Sequence, residues 1–131
     1  MGDRSEVRST GAPAPVGPYS QAIVHGGLVY VSGQVPLDPA TGRLVEGEIE
    51  AQAERVFANL RAVLEAAGAS MDDVLRVAVY LTDLALFPRV NAVYARQFGA
   101  GPKPARTTVG VAALPLGAAI EVDAVAALGS R

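Results

Sequence analysis

The sequence predicts a single α/β domain in which one mixed β-sheet carries two helices on one face. Two segments repeat their apolar residues at helical spacing, five short runs are strand-like and bounded by turn formers, and 131 residues leave room for one core. The predicted order is ββαβαββ, with residues 1–11 as a loose polar tail and residues 12–129 as the domain.

After a Pro/Gly segment from Ala12 to Pro18, two runs, Gln21 to His25 and Leu28 to Gly33, flank Gly26-Gly27 and read as a hairpin. Residues 34–47 lose periodicity and contain Asp38-Pro39 and Thr41-Gly42, so they form an exposed loop. From Glu48 to Ala67 the apolar positions Ala53, Val56, Phe57, Leu60, Val63 and Leu64 follow a helical period, and Gly68 supplies the stop. Ser70 and Asp73 are spaced as the cap of a single turn that leads into the strand Val74 to Leu81. Asp83 can cap the next element, a helix starting near Pro88 with Val90, Val93, Tyr94 and Phe98 on one face. Two last strands, Arg106 to Ala112 and Ala118 to Ala126, are joined by Leu114-Pro115-Leu116-Gly117. With helices on one face only, the Ala- and Val-rich strands leave the other face needing cover, and self-association is the economical solution.

Half of the residues are apolar and 18% are charged, which excludes a disordered chain. A net charge of −2, with ten arginines and one lysine scattered along the chain, argues against a nucleic-acid partner. The absence of cysteine excludes disulfides, thiolate nucleophiles and Cys-ligated metals, and a single histidine, His25, excludes multi-histidine metal sites. The first ten residues lack the apolar core of a secretory signal, and Pro115, Gly117, Glu121 and Asp123 interrupt the apolar stretch from Val109 to Leu128. A cytoplasmic protein without a membrane span is expected.

Common catalytic and nucleotide-binding motifs are missing, so the chemistry must come from isolated residues. Arg106, at the start of a strand, can grip a substrate carboxylate through two N–H groups, or it can form a surface or interface salt bridge. Glu121, flanked by Ile120 and Val122, can orient or deprotonate water, or it can be a half-exposed strand residue in an ion pair. Ser32-Gly33 ends a strand where a ligand can approach the backbone, although a simple bulge fits equally well. Tyr19 can close a pocket or cover a core edge, and the Asn91 amide can reach a ligand or a neighbouring loop carbonyl.

Four blocks in order, Gly17-Pro18-Tyr19-Ser20-Gln21-Ala22, Val31-Ser32-Gly33-Gln34-Val35-Pro36, Val90-Asn91-Ala92-Val93-Tyr94 and Pro104-Ala105-Arg106-Thr107-Thr108-Val109 followed by Ile120-Glu121-Val122, resemble the reactive-intermediate deaminase (Rid, YjgF-like) family. The resemblance runs from about Ala12 to Ala127. It implies a chorismate-mutase-like fold, a homotrimer built as a barrel, and clefts between subunits. It also implies cofactor- and metal-free hydrolysis of reactive 2-imino acids, such as 2-iminobutanoate and 2-iminopropanoate, to 2-keto acids and ammonia. In that frame Arg106 binds the substrate carboxylate and Glu121 holds or activates water. Tyr19, Ser32, Gly33 and Asn91 line the cleft, and the backbone at Thr108 helps to place the water. Members of the family often have cysteine where this chain has Thr108, so any thiol-dependent behaviour should be absent here. The same cleft also suits a non-catalytic module that binds small carboxylates such as 2-keto acids. The ribonuclease activity associated with some relatives fits poorly with an acidic chain.

Overall fold

The computed structural model describes residues 3–129 as six strands and two α-helices. The strands are β1 (Ser5–Val7), β2 (Ala22–His25), β3 (Leu28–Gln34), β4 (Val74–Leu81), β5 (Ala105–Gly110) and β6 (Ile120–Ala127). The helices are α1 (Ile49–Ala67), between β3 and β4, and α2 (Phe87–Ala95), between β4 and β5. All six strands join one mixed sheet in the order β1-β2-β3-β6-β4-β5, in which only the β4–β5 pair is parallel. The α2 crossover between β4 and β5 is what a parallel neighbour requires.

The predicted five-strand order is one strand short, because β1 falls within the stretch read as a loose tail. Ser5, Glu6 and Val7 pair antiparallel with Val24, Ile23 and Ala22, and Val7 is buried in the main core. Three residues with one apolar side chain carry no readable alternation, so this strand owes its existence to its neighbour rather than to local pattern. Met1 and Gly2 lie outside the described residues.

The β2–β3 hairpin turns at Gly26 and Gly27, whose φ values of 60° and 80° match a turn in which both central residues are left-handed. Gly68 ends α1 in the left-handed conformation at φ 88°, with its N–H on the Glu65 and Leu64 carbonyls. The Ser70 N–H donates to Asp73 Oδ2 at 2.9 Å as predicted, while Asp83 accepts from the Ala85 N–H at 3.0 Å and so caps the single turn Leu84–Leu86 that precedes α2 rather than α2 itself.

The core lies between the helices and one face of the sheet. Phe57, Leu60 and Leu64 of α1 are fully buried, each contributing about 1.5–3 kcal/mol by the usual transfer scale. Along β6, Ile120, Val122, Ala124 and Ala126 are buried while Glu121, Asp123, Val125 and Ala127 are only half-buried. That period of two assigns the first set to the helices and the second to the open face. Helix α2 docks through Val90, Val93 and Tyr94, with the Tyr94 ring edge-on to Phe57 at 5.8 Å. Its N-terminal end is tied to α1 by Arg89, which donates to Glu48 and to both carboxylate oxygens of Glu50. The hydrogen bonds from Arg89 hold the Glu50 carboxyl down to about 2.

A second, smaller core of Val35, Leu37 and Ala118 seats the loop after β3 against the turn before β6. Asn59 of α1 anchors this loop. It is fully buried, donates to the Leu37 carbonyl at 2.9 Å and the Val35 carbonyl at 3.3 Å, and accepts from Arg55 Nε at 3.1 Å. Truncation leaves two buried carbonyls without that donor. Asn59→Ala should lower the unfolding free energy by about 2–3 kcal/mol, read as a shift in the urea midpoint at unchanged slope.

Candidate functional site

The structure gathers the candidate residues into two groups on opposite faces of the sheet. Tyr19, Gly33 and Glu121 line one small hollow of about 60 Å³. Asn91 and Arg106 line a shallower one beside α2, together with Tyr94 and Lys103.

The first group depends on an irregularity in β3. Val31 pairs with Ala124 and Gln34 with Val122, so β3 spends three steps where β6 spends two, which makes Ser32-Gly33 a β-bulge. The Glu121 carboxylate lies directly over Gly33: a Cβ there would fall within 2.8 Å of Glu121 Cδ and closer still to Oε2. A side chain there would displace the Glu121 carboxylate, so the glycine serves the approach of that carboxylate rather than the strand. Ser32 lies beside the hollow, but its hydroxyl donates to the Ser20 carbonyl at 2.6 Å and serves to fix the strand end. Tyr19 is half-exposed at the rim, with its hydroxyl oxygen accepting from the Val16 N–H at 3.3 Å.

The chain leading to Tyr19 is held by Gln21, a buried residue that is readable in the sequence only as a strand start and part of a motif. Its amide accepts from the Ser9 N–H at 2.7 Å and donates to the Ser9, Ala12 and Pro13 carbonyls at 3.0, 3.4 and 2.9 Å. The opposite rim comes from the turn before β6. There Leu116 takes φ 62° and ψ 14°, a left-handed conformation that costs a leucine about 1–2 kcal/mol.

Glu121 has its carboxyl pushed up from the ordinary value, chiefly by burial and secondarily by the negative charge of Asp123 two residues along the same face. Asp123 in turn accepts from the Tyr80 hydroxyl at 2.9 Å, and this bond, with burial, raises the Tyr80 phenol. Glu121 is thus an acid that gives up its proton less readily than a free glutamate and takes one back more readily.

The second group is built on β5 and α2. Arg106 pairs across the sheet with Val77, a helix-facing residue, and so does not share a face with Glu121, which pairs with Tyr80. Its guanidinium lies between two aromatic rings, 4.6 Å from the Tyr94 centroid and 5.0 Å from that of Phe87. Nη1 donates to Asn91 Oδ1 at 2.7 Å. The rings and the amide fix the orientation of the planar fork while leaving N–H groups for a ligand. Thr108, two residues on along β5, has a buried hydroxyl without a hydrogen-bond partner. Strand β5 is at the sheet edge, so part of its backbone hydrogen-bonding capacity is unused within the chain.

Tyr94 was legible in the sequence as part of a core face and of one of the four blocks, whereas Phe87 had no reading there. An aromatic seven residues from another, on a helix preceding an arginine strand, was the one available signal.

This architecture defines an α+β protein with an oriented guanidinium and a perturbed carboxylic acid at separate places. The chain matches the family model "Endoribonuclease L-PSP" over residues 9–128. It belongs to that family, the YjgF/RidA/RutC group. A RutC family protein of Pyrococcus abyssi is 51% identical over 88% of this chain and 90% of the relative. A 2-iminobutanoate/2-iminopropanoate deaminase of Dermatophagoides farinae is 44% identical over 87% of this chain and 88% of its own. The crystal structure of RidA from an Antarctic Psychrobacter superposes with a TM-score of 0.89 at 46% identity, covering 94% of this chain and 98% of that one.

The raised carboxyl of Glu121 has a stability consequence. Below the unfolded value of 4.5 the group is protonated in both states and has no effect. As pH rises through the folded value, the unfolded chain has already released its proton, so folding loses stability over that window. Glu121→Gln should therefore unfold at a higher temperature than wild type at pH 8, with the difference closing below pH 4, as followed by circular dichroism.

Proposed function

We propose that this protein hydrolyses 2-imino acids to 2-keto acids and ammonia, in clefts formed between the subunits of a homotrimer and without a cofactor or metal. The observation that carries this reading is the division of the machinery. An oriented guanidinium suited to a carboxylate lies on one sheet face, and an acid–base group lies on the other. A neighbouring copy that brings its Arg106 half against the Glu121 half completes the set. The deaminase named among the relatives supports this choice of substrate.

A 2-imino acid is already electrophilic at C2, so orientation and a placed water supply most of the acceleration. Arg106 takes the carboxylate in a bidentate grip, held in plane by Asn91, Phe87 and Tyr94. On the protonated imine, Glu121 accepts a proton from water as the water oxygen bonds to C2, giving a neutral carbinolamine. The same carboxyl then returns that proton to the nitrogen, and as the C–N bond breaks the remaining hydroxyl proton passes to the Glu121 carboxylate, leaving the keto acid and ammonia. A carboxyl raised above the ordinary range serves both directions of transfer. The backbone at Thr108 contributes to placing the water, and Tyr19, Ser32 and Gly33 shape the wall.

With 2-iminobutanoate generated in situ under semicarbazide competition, Arg106→Ala should lose at least about tenfold in kcat/KM. Arg106→Ala and Glu121→Gln, each inactive alone, should recover about a quarter of wild-type activity when refolded together at equal amounts, because only mixed trimers contain intact clefts. No recovery on mixing would place both residues in one protomer's site. Binding of 2-ketobutyrate without any imine turnover by wild type would favour a carboxylate-binding module instead, and cleavage of RNA by highly purified protein would favour the ribonuclease reading.

A further inference from the structure

The hollow beneath Glu121 has an apolar rim in which Val16 and Leu116 serve no step of the hydrolysis. Seven large apolar side chains stand out as exposed among the described residues, and three of them line this one hollow: Val16 at 69%, Leu116 at 57% and Tyr19 at 49%. They come from two separate segments, the Pro/Gly stretch before β2 and the turn before β6. Val35 and Leu37 continue the apolar wall inward from a third. No lysine or arginine lines the hollow, and the one carboxylate there is Glu121.

Leu116 is the informative residue. It holds the left-handed conformation, which glycine takes without strain, and its neighbour Gly117 takes it too at φ 74°. Nothing in the fold requires a leucine there, since it is in neither buried cluster. A strained, exposed, bulky residue at the rim of a pocket marks a contact made with something else.

We propose that Leu116, with Val16 facing the same hollow, is a specificity-determining residue that selects 2-imino acids with branched aliphatic side chains. This rests on the hydrolase reading and names its preferred substrate. The carboxylate and the imine carbon are oriented by Arg106 and Glu121, and the side chain at C3 lies along the rim, where it shields apolar area of Leu116 and Val16 from water. An acidic side chain is disfavoured by the Glu121 carboxylate, and the protomer that carries the rim adds no lysine or arginine there to offset it. A methyl group offers the rim less apolar area and gains less.

The test compares imines generated in situ from leucine and from alanine by an amino-acid oxidase with catalase present, using wild type, Leu116→Gly and Val16→Ser. Equilibrium binding of the two product 2-keto acids provides a second readout that needs no turnover. Wild type should prefer the leucine-derived imine by at least about tenfold in kcat/KM. Leu116→Gly should lose most of that ratio through a higher KM for the larger imine, while its thermal midpoint stays level or rises because the backbone strain is gone. Equal preference in wild type, or a ratio unchanged in Leu116→Gly, overturns the proposal. A uniform loss on both imines with a smaller mass in size-exclusion chromatography also overturns it, assigning Leu116 to a subunit contact. If neither imine is hydrolysed but the keto-acid binding ratio is present and collapses in Leu116→Gly, the rim selects as proposed and the hydrolase reading alone fails.

Discussion

Burial of one side of β6 is the constraint on which the rest depends. This strand lies between β3 and β4, and its alternate residues Ile120, Val122, Ala124 and Ala126 pack beneath the helices. A shift of one residue would exchange the apolar set for Glu121 and Asp123, so the register is fixed by the core. The same alternation leaves those two carboxylates side by side on the opposite face, where burial first and the charge of Asp123 second disfavour ionisation of Glu121. The perturbed acid is therefore a by-product of how the core is filled, refined by a bulge in β3 that makes room for it at Gly33. Parallel pairing of β5 with β4 carries the argument across the sheet: it puts Arg106 under α2, among the aromatic rings that hold its guanidinium.

The larger elements could be read from residue spacing because each obeys a local rule. Helix α1 follows the period of Ala53, Val56, Phe57, Leu60 and Leu64 and stops at Gly68, and the β2–β3 turn follows from two adjacent glycines. Strand β1 could not be read that way, since its three residues are ordered by pairing with β2 and by the burial of Val7. Arg106, Glu121, Tyr19, Gly33 and Asn91 were legible as chemistry, but not their separation into two groups. Whether two residues share a sheet face depends on strand register, and register depends on the bulges and on which strands are neighbours, neither of which has a single-residue signature. Gln21 and Asn59 were hidden for a related reason. A buried amide that bonds distant backbone groups has no local pattern, only a place in the finished fold.

The two groups also differ in how they are made rigid. Around Arg106 the restraint comes from side chains, an amide and two rings on one helix, itself tethered through Arg89 to α1. Around Glu121 it comes from the main chain: a bulge, a left-handed turn and a loop seated on its own small core. Orientation of a planar cation needs directional contacts on its faces and edge. A carboxyl that has to exchange protons needs instead a controlled amount of water, which the surrounding backbone sets by shape.

The four hydrogen bonds of the Gln21 side-chain amide all end on backbone atoms of residues 9–13. The course of that segment is consequently set largely through its main chain, with the buried Ala12 side chain as its foothold in the core. Substitutions at the exposed Ala14, Pro15 and Val16 leave those bonds untouched, so one half of the rim can vary while a single amide holds the path that delivers it. A scaffold wired in this way lets a lineage retune what it accepts without rebuilding how it folds.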